Sequence, residues 1–557
     1  MDVTVEENVP ATMRDGTVLR ADVYRPTAGG PHPVLLSRLP YGKSVPALVG
    51  ILEPIALARS GFIVVIQDTR GRFASDGEVW EPWTYEPDDG YDTVRWAAQL
   101  PGSNGRVGMI GGSYLGNTQW TAALTKPPEL MAIAPEVTWS DPHDGLWARG
   151  GAIEFGLQVF WSLMQGADTL TRRHAEDPAT IGQALGALIH DMDQTVPATY
   201  WELPAGRHPA FRRHQIHDLG FEHALRDPAW SANCRVAGRH AEVELPSLNL
   251  GGWYDVFGQG TLDNFVESRA AGRPAHLIMG PWTHSNRTGQ IGDVNFGLAS
   301  SQDLLGQRGS FTDLKAAWFK QWLTPDETPE TPELPPVLLF VMGKNEWREE
   351  QEWPLSRAVD TDLFLRADSA LSFDTPAPSE GSDTYVYDPA DPVPTMGGPL
   401  VMTPEFRPGP LDQAPVEERA DVLVHTSEPL AEDLEVTGRI RAMIHAATDA
   451  PCTDWVVRLC DVDPDGVSIN VTDGIVRAQT TPGQFAEHAV DLWSTSYVFR
   501  AGHRLRVHVT SSSFPRWDRN LNTGEPVDVG TEFRPARQEI AHDADRPSRL
   551  ILPVVPS

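Results

Sequence analysis

The sequence predicts two units in series, an α/β unit interrupted by a helical insertion and an all-β sandwich behind it. Three observations carry that prediction. Short apolar runs alternate with amphipathic stretches from Arg20 to about Ala134 and resume from Ser247 to Met279, which is how parallel strands covered by helices read. Between these halves the strand signal gives way to Trp-containing helical stretches. Beyond about Val359, short alternating runs separated by Gly, Pro and Asp take over, the pattern of a β-sandwich or jelly roll.

Taken in order, runs 34–36, 62–66, 107–110 and 131–134 are the first core strands, with a covering helix over 91–100. Runs 247–250 and 276–279 add two more, separated by a helix over 261–269. The intervening stretch predicts helices over 155–164 and 178–193, and an insertion of this kind commonly forms a lid or one wall of a pocket. The Pro/Glu/Thr-rich segment TPDETPETPELPP, from 324, is linker-like. Runs 421–425, 439–445, 455–460 and 505–510 are strands of the sandwich, and the chain shows no internal repeat. The expected division is 1–143 and 241–358 for the two parts of the core, 144–240 for the insertion and 359–557 for the jelly roll, in line with ~100–200 residues per domain.

Composition narrows the partners. Lys plus Arg number 45 against 76 Asp plus Glu, a formal charge of −31, and such a surface repels nucleic-acid backbones and anionic membranes. Cys234, Cys452 and Cys460 are too few for a disulfide framework and form no C-x-x-C pair. They read as buried small residues, and no cofactor or metal is expected. The first twenty residues carry charges throughout and lack the ~7–15-residue apolar core of a signal peptide, so a cytoplasmic protein is expected, with a homodimer left open. No apolar run approaches the ~18 residues that cross a bilayer. The N-x-T matches at Asn286 and Asn470 are accordingly read as chance.

The sharpest chemical feature is Gly111-Gly112-Ser113-Tyr114-Leu115-Gly116, directly after run 107–110 and before a helix-compatible stretch at 117–124. A serine on a tight strand-to-helix turn projects its hydroxyl above the sheet, and neighbouring glycines permit the strained backbone. The match departs from G-x-S-x-G, because the second glycine falls at Gly116. Such an elbow implies a downstream acid and then a histidine, since a serine hydroxyl needs a base. Gly252-Trp253-Tyr254-Asp255 follows run 247–250, and Gly280-Pro281-Trp282-Thr283-His284-Ser285 follows run 276–279. Both candidates thus leave the carboxyl ends of predicted parallel strands, where α/β sheets place ligands.

These motifs resemble the cocaine esterase-like branch of the CocE/NonD hydrolases, relatives of the Xaa-Pro dipeptidyl-peptidases and α-amino acid ester hydrolases. The resemblance extends along the chain through Met13-Arg14-Asp15-Gly16, Asp68-Thr69-Arg70-Gly71, Tyr387-Asp388-Pro389-Ala390-Asp391-Pro392 and Ser512-Ser513-Phe514-Pro515. It implies an α/β-hydrolase core with a helical insertion and a C-terminal jelly roll. It also implies Ser113 as nucleophile, His284 as general base and Asp255 as the residue that orients the imidazole. No HGGG stretch supplies oxyanion donors here. The resemblance assigns them to the backbone N–H of Tyr114 and the hydroxyl of Tyr41, which follows run 34–36.

Two further segments read as structural. Gln67-Asp68-Thr69-Arg70-Gly71-Arg72 predicts a buried Asp–Arg pair bracing active-site loops. Asp461-Val462-Asp463-Pro464-Asp465-Gly466 imitates the start of a calcium loop, but its twelfth position is Thr472, and a hairpin turn is expected. For the acyl group, the stretch after Asp255 is Val256-Phe257-Gly258-Gln259, with none of the acids that amino-acid ester hydrolases carry there. The resemblance places Trp147 and Trp161 where cocaine esterase-like members line their acyl pocket with tryptophan, Phe257 is expected to join them, and such a wall suits an uncharged acyl group. The expected activity is a serine carboxylesterase on neutral aryl or short acyl esters, a small-molecule substrate. The alternatives are an acylase, α-amino acid ester hydrolase or Xaa-Pro dipeptidyl-peptidase of the same superfamily. From another class, the alternative is a binding protein on a disabled scaffold with a lectin-like jelly roll.

Overall fold

A computed structural model describes residues 2–325 and 334–556 of the chain, so most of the linker-like segment from 324 lies outside the described residues. The first unit is built on a ten-stranded sheet. Its strands are β1 (Val3–Thr12), β2 (Val18–Pro26), β3 (His32–Leu39), β4 (Ile63–Asp68), β5 (Ser103–Gly112), β6 (Leu130–Glu136), β7 (Ser247–Tyr254), β8 (Ala275–Thr283), β9 (Val337–Val341) and β10 (Glu346–Glu350). They lie in the order β1-β2-β4-β3-β5-β6-β7-β8-β9-β10. From β4 to β9 neighbouring strands are parallel, whereas β1–β2, β2–β4 and β9–β10 pair antiparallel.

The inner strands carry short continuous apolar runs, such as 34–36, 63–66 and 109–110, because both faces of the sheet are covered there. Leu35, Val64 and Ile110 pack into one core with the insertion aromatics, while Val34, Leu36, Val65 and Met109 pack on the other side with Val94 and Trp120. This is the period of two expected of a strand. Helices α1 (Glu86–Ala98) and α2 (Tyr114–Leu124) supply the latter two residues. The antiparallel edges were not predicted, for a physical reason. Strand β1 is largely exposed and β10 reads Glu-Trp-Arg-Glu-Glu, so neither carries an apolar run, and charged edges of this kind discourage further strand pairing.

The insertion occupies the connection between β6 and β7. Its main elements are α3 (Phe155–Arg173), with an apolar stripe toward the core, and α4 (Pro178–Asp193), whose N-cap Asp177 accepts from the N–H groups of Ala179 and Thr180 at 3.1 and 3.3 Å. Helix α5 (Gly258–Ala270) joins β7 to β8, and α6 (Phe311–Leu323) precedes β9.

Eleven strands between Val359 and Val555 make the second sheet. It is dominated by four long ones, Leu434–Thr448, Cys452–Val462, Ser468–Gln479 and Ala486–Phe499. They close over Trp455, Val457, Leu459, Leu492, Val507 and Leu550 as the C-terminal all-β domain. This domain grips the insertion through polar anchors: Trp493 Nε1 donates to Asp144 at 3.1 Å, Trp517 Nε1 to Glu154 at 2.9 Å, and the Arg149 guanidinium lies 3.7 Å from the Trp493 ring centre.

The calcium-like segment is a hairpin turn in which Asp463 Oδ1 accepts from the N–H groups of Asp465 and Val467, both at 2.9 Å. All three cysteines are free and buried. Among the described residues, no helix is long and apolar enough to cross a membrane.

Candidate active site

Strand β5 ends in an elbow. Gly111 has φ 122° and Ser113 φ 60°, a region an L-residue adopts only under strain. The serine then becomes the N-cap of α2. The displaced glycine has a packing explanation: a Cβ at Gly116 would stand 2.7 Å from Thr138 Cβ, so only glycine lets the helix close onto the chain leaving β6. The N–H of Tyr114, at the first position of α2, has no partner within the helix and lies at the positive end of its dipole. The Tyr114 side chain points elsewhere, donating to buried Glu86 at 2.8 Å and stacking on Trp83 at 3.8 Å between ring centres.

The two downstream candidates meet. His284 Nδ1 lies 2.8 Å from Asp255 Oδ1, which also accepts from Phe257 N–H at 3.2 Å. Asp255 is buried, and the imidazole edge packs on Phe257 at 5.3 Å between centroids. An Nδ1–H held by a carboxylate leaves Nε2 as the basic nitrogen. Ser113 and His284 line one cavity of about 1200 Å³. No direct hydrogen bond joins them in this structure, a contact that often tightens only with substrate.

Tyr41, just beyond β3, lines the same cavity. Its hydroxyl accepts from Trp161 Nε1 at 3.1 Å. Desolvation pushes its phenol up to about 12, with Trp161, Ser113 and the Arg72 charge drawing it the other way, so the hydroxyl keeps its proton across the neutral range.

Of the three aromatics predicted for the acyl pocket, Trp161 and Phe257 line the cavity and Trp147 does not. Trp147 is 0% exposed, donates its indole N–H to Leu219 O at 2.9 Å and stacks on Trp230, so its polar handle is spent inside the insertion. Trp83, Trp139, Leu146 and Leu219 complete that wall instead.

The expected Asp–Arg pair is also corrected. Asp68 accepts from Lys43 N–H at 2.7 Å, whereas Arg70 pairs with Asp89 and Asp15. Arg72 reaches Pro40 O at 2.7 Å and both Gln165 O and Oε1 at 3.0 and 2.7 Å. The segment braces the loops, but through backbone carbonyls and distant acids.

Sequence reasoning missed an ionic cluster beside Ser113. Glu136, the last residue of β6, accepts Ser113 N–H on its carbonyl at 2.9 Å, while its carboxylate takes Arg287 Nη1 at 2.6 Å and Lys315 Nζ at 2.9 Å. Burial works against its charge, but Lys315 and Arg287 hold its carboxyl down at about 2. The elbow, the histidine loop and α6 are thereby tied at one point. The available signal was an acid at the carboxyl end of β6 and an arginine three residues after His284; nothing local pairs them.

Among the described residues four carboxylates reach the cavity: Glu136 is paired as above, Asp168 lies 3.5 Å from Arg72, and Glu53 and Asp303 are exposed. Among the described residues no group of three or more His, Cys, Asp or Glu is placed to hold a metal ion.

Comparison with known proteins agrees with this architecture. Residues 15–286 match the X-Pro dipeptidyl-peptidase (S15 family) and residues 331–551 the X-Pro dipeptidyl-peptidase C-terminal non-catalytic domain. A cocaine esterase of Rhodococcus sp. (strain MB1 Bresler) is 37% identical over 580 residues, 99% of each chain. Among solved structures, an α-amino acid ester hydrolase superposes with a TM-score of 0.77 at 25% identity, over 99% of this chain and 97% of that one. A CocE/NonD family hydrolase from Staphylococcus aureus shares the fold with a TM-score of 0.69 at 18% identity, covering 100% and 94%. With an α/β-hydrolase unit followed by a non-catalytic all-β domain, and this full-length relationship to an esterase, the chain belongs to the CocE/NonD family and is a serine ester hydrolase.

Proposed function

We propose that the chain hydrolyses esters of uncharged aryl or short acyl acids by a ping-pong route through an acyl-enzyme on Ser113. The observation that carries this reading is the 2.8 Å hydrogen bond between His284 and buried Asp255, with His284 lining the same cavity as Ser113. His284 Nε2 takes the proton as Ser113 Oγ attacks the ester carbonyl, and returns it to the departing alcohol. A water then repeats the sequence on the acyl-enzyme. Asp255 holds the imidazole tautomer and stabilises the imidazolium. The carbonyl oxygen, negative in each tetrahedral intermediate, is received by Tyr114 N–H and the Tyr41 hydroxyl. In this division residues 1–143 and 241–358 carry the chemistry and part of the acyl wall, 144–240 supply the rest of that wall, and 359–557 clamp the insertion.

The preference for an uncharged acyl group follows from what faces it. The acyl wall is Trp83, Trp139, Leu146, Trp161, Leu219 and Phe257. Asp144 and Glu154, two insertion acids close in sequence to Trp147 and Trp161, are bound to Trp493 and Trp517 of the jelly roll and do not line the cavity, while Asp168, equally close to Trp161, lines it but faces Arg72 at 3.5 Å. A substrate ammonium entering this wall loses hydration that no free buried carboxylate among the described residues replaces, a cost of several kcal/mol. If ~3 kcal/mol survives in the transition state, nitrophenyl benzoate and short-chain esters are cleaved ~10²-fold faster than phenylglycine methyl ester or an alanyl-prolyl anilide. Steady-state kcat/KM values near pH 7 test this. Equal values for amino-acyl and benzoyl substrates contradict it and make Asp168 the carboxylate to examine.

A further inference from the structure

The indole of Trp161 does two things at once in this structure. Its ring is part of the cavity wall, and its N–H is donated to the Tyr41 hydroxyl at 3.1 Å. A tyrosine hydroxyl has one proton and two lone pairs, and an indole N–H can only donate. A bond accepted from Trp161 therefore leaves the Tyr41 proton free to be given away, while fixing the direction in which it is given. Chains of hydrogen bonds in a desolvated site polarise one another, so an accepted bond makes a hydroxyl the stronger donor.

The pair is held from both ends by one buried side chain. Arg72, 1% exposed, grips the carbonyl of Pro40, the residue before Tyr41. Its other two nitrogens grip Gln165, four residues beyond Trp161 on the same helix α3. The guanidinium also lies 4.7 Å from the centre of Trp80, which itself packs at 5.3 Å on Trp161. The rings of Tyr41 and Trp161 meet edge to face at 6.3 Å and 83°. The insertion is thus registered against the sheet at the hydroxyl that faces the reacting carbonyl.

We propose that Trp161 is a positioning residue of the oxyanion hole: its N–H orients and strengthens the Tyr41 donor, so that acyl groups packed on the indole are discriminated in kcat as well as in KM. This rests on the assignment of Tyr41 made above. Binding contacts that tighten a transition-state interaction raise kcat, whereas a plain wall contributes equally to ground and transition states and moves KM.

The test is a double-mutant cycle with nitrophenyl benzoate and nitrophenyl acetate. Trp161 is replaced by 3-benzothienylalanine, whose sulfur takes the place of Nε1–H in a ring of nearly the same shape, with Trp161→Phe as a genetically encoded second variant. Each is made alone and with Tyr41→Phe. Tyr41→Phe alone lowers kcat by ~10²–10³-fold. The benzothienyl variant lowers kcat roughly threefold to tenfold, the worth of one net hydrogen bond, with KM within about twofold. On the Tyr41→Phe background neither Trp161 replacement lowers kcat further. Unchanged kcat in the benzothienyl variant, or the same loss on both backgrounds, overturns the role of Trp161 and leaves that of Tyr41 standing. Full kcat in Tyr41→Phe overturns both.

Discussion

Trp147 and Trp161 stand in the same insertion, both buried, and do different work. One donates its indole N–H to Leu219 and is sealed within the insertion; the other donates to Tyr41 and faces the cavity. No local property of the sequence separates them. Ser113, Asp255 and His284, by contrast, each sit just beyond the end of a parallel strand. There the chain direction and the sheet edge dictate where the side chain goes. On the proposed assignment the triad is placed by backbone geometry at the sheet edge, whereas Trp147 and Trp161 are placed by the packing of the insertion, and the two are expected to respond differently to substitution.

The largest expected effect is on the sheet side. Ser113→Ala, His284→Ala and the double variant each lose kcat on the order of 10⁶-fold, because the members of such a unit do not act separately. Retention of a tenth of the rate by Ser113→Ala contradicts the assignment. The ionic cluster that ties the elbow to the histidine loop comes next. Arg287→Met removes the 2.6 Å partner of Glu136 and lets the loop carrying His284 drift, a displacement that lowers kcat by roughly 10-fold or more. KM is expected to stay nearly constant. A variant with normal kcat and only a lower melting temperature shows that the cluster serves stability alone.

On the insertion side, Trp147→Phe sharpens the comparison. It deletes one buried hydrogen bond and part of an indole, so ~1–3 kcal/mol of stability is expected to go, while kcat/KM for nitrophenyl benzoate stays within about threefold of the parent. A large change in acyl preference contradicts the placement of Trp147 outside the pocket.

The smallest effect concerns pH. Burial lowers the pKa of His208 to about 4, where it stands neutral with Nε2 2.9 Å from Thr199 O and Nδ1 accepting from Ala210 N–H. Between pH ~6.5 and about 4 the unfolded chain binds this proton and the folded one does not, so the stability tied to His208 is present above ~6.5 and lost as pH falls through that window. Melting temperatures at pH 7.5 and 5 should fall less for His208→Gln than for the parent; an equal fall removes His208 as the cause.

The sequence made the catalytic edge legible because glycine, a strand and a helix in fixed order leave few places for a serine to point. The predicted helix at 178–193 is found at Pro178–Asp193, where Asp177 caps the start. The polar edges of the first sheet were hidden because β1 and β10 carry no apolar run. The Glu136–Arg287–Lys315 cluster was hidden because its members come from three separate segments and only folding brings them together. Asp144 and Glu154 show the same limit from the other side, since their nearness to the pocket in sequence is undone by the jelly roll that binds them.

The central claim, that Ser113 is the nucleophile activated through His284 and Asp255, is tested most directly by labelling the intact protein with a fluorophosphonate and mapping the adduct by peptide mass spectrometry. One phosphonyl group is expected, on the peptide carrying Ser113, with labelling abolished in Ser113→Ala and slowed by orders of magnitude in His284→Ala. An adduct on another residue, or labelling of Ser113→Ala at the parent rate, contradicts it.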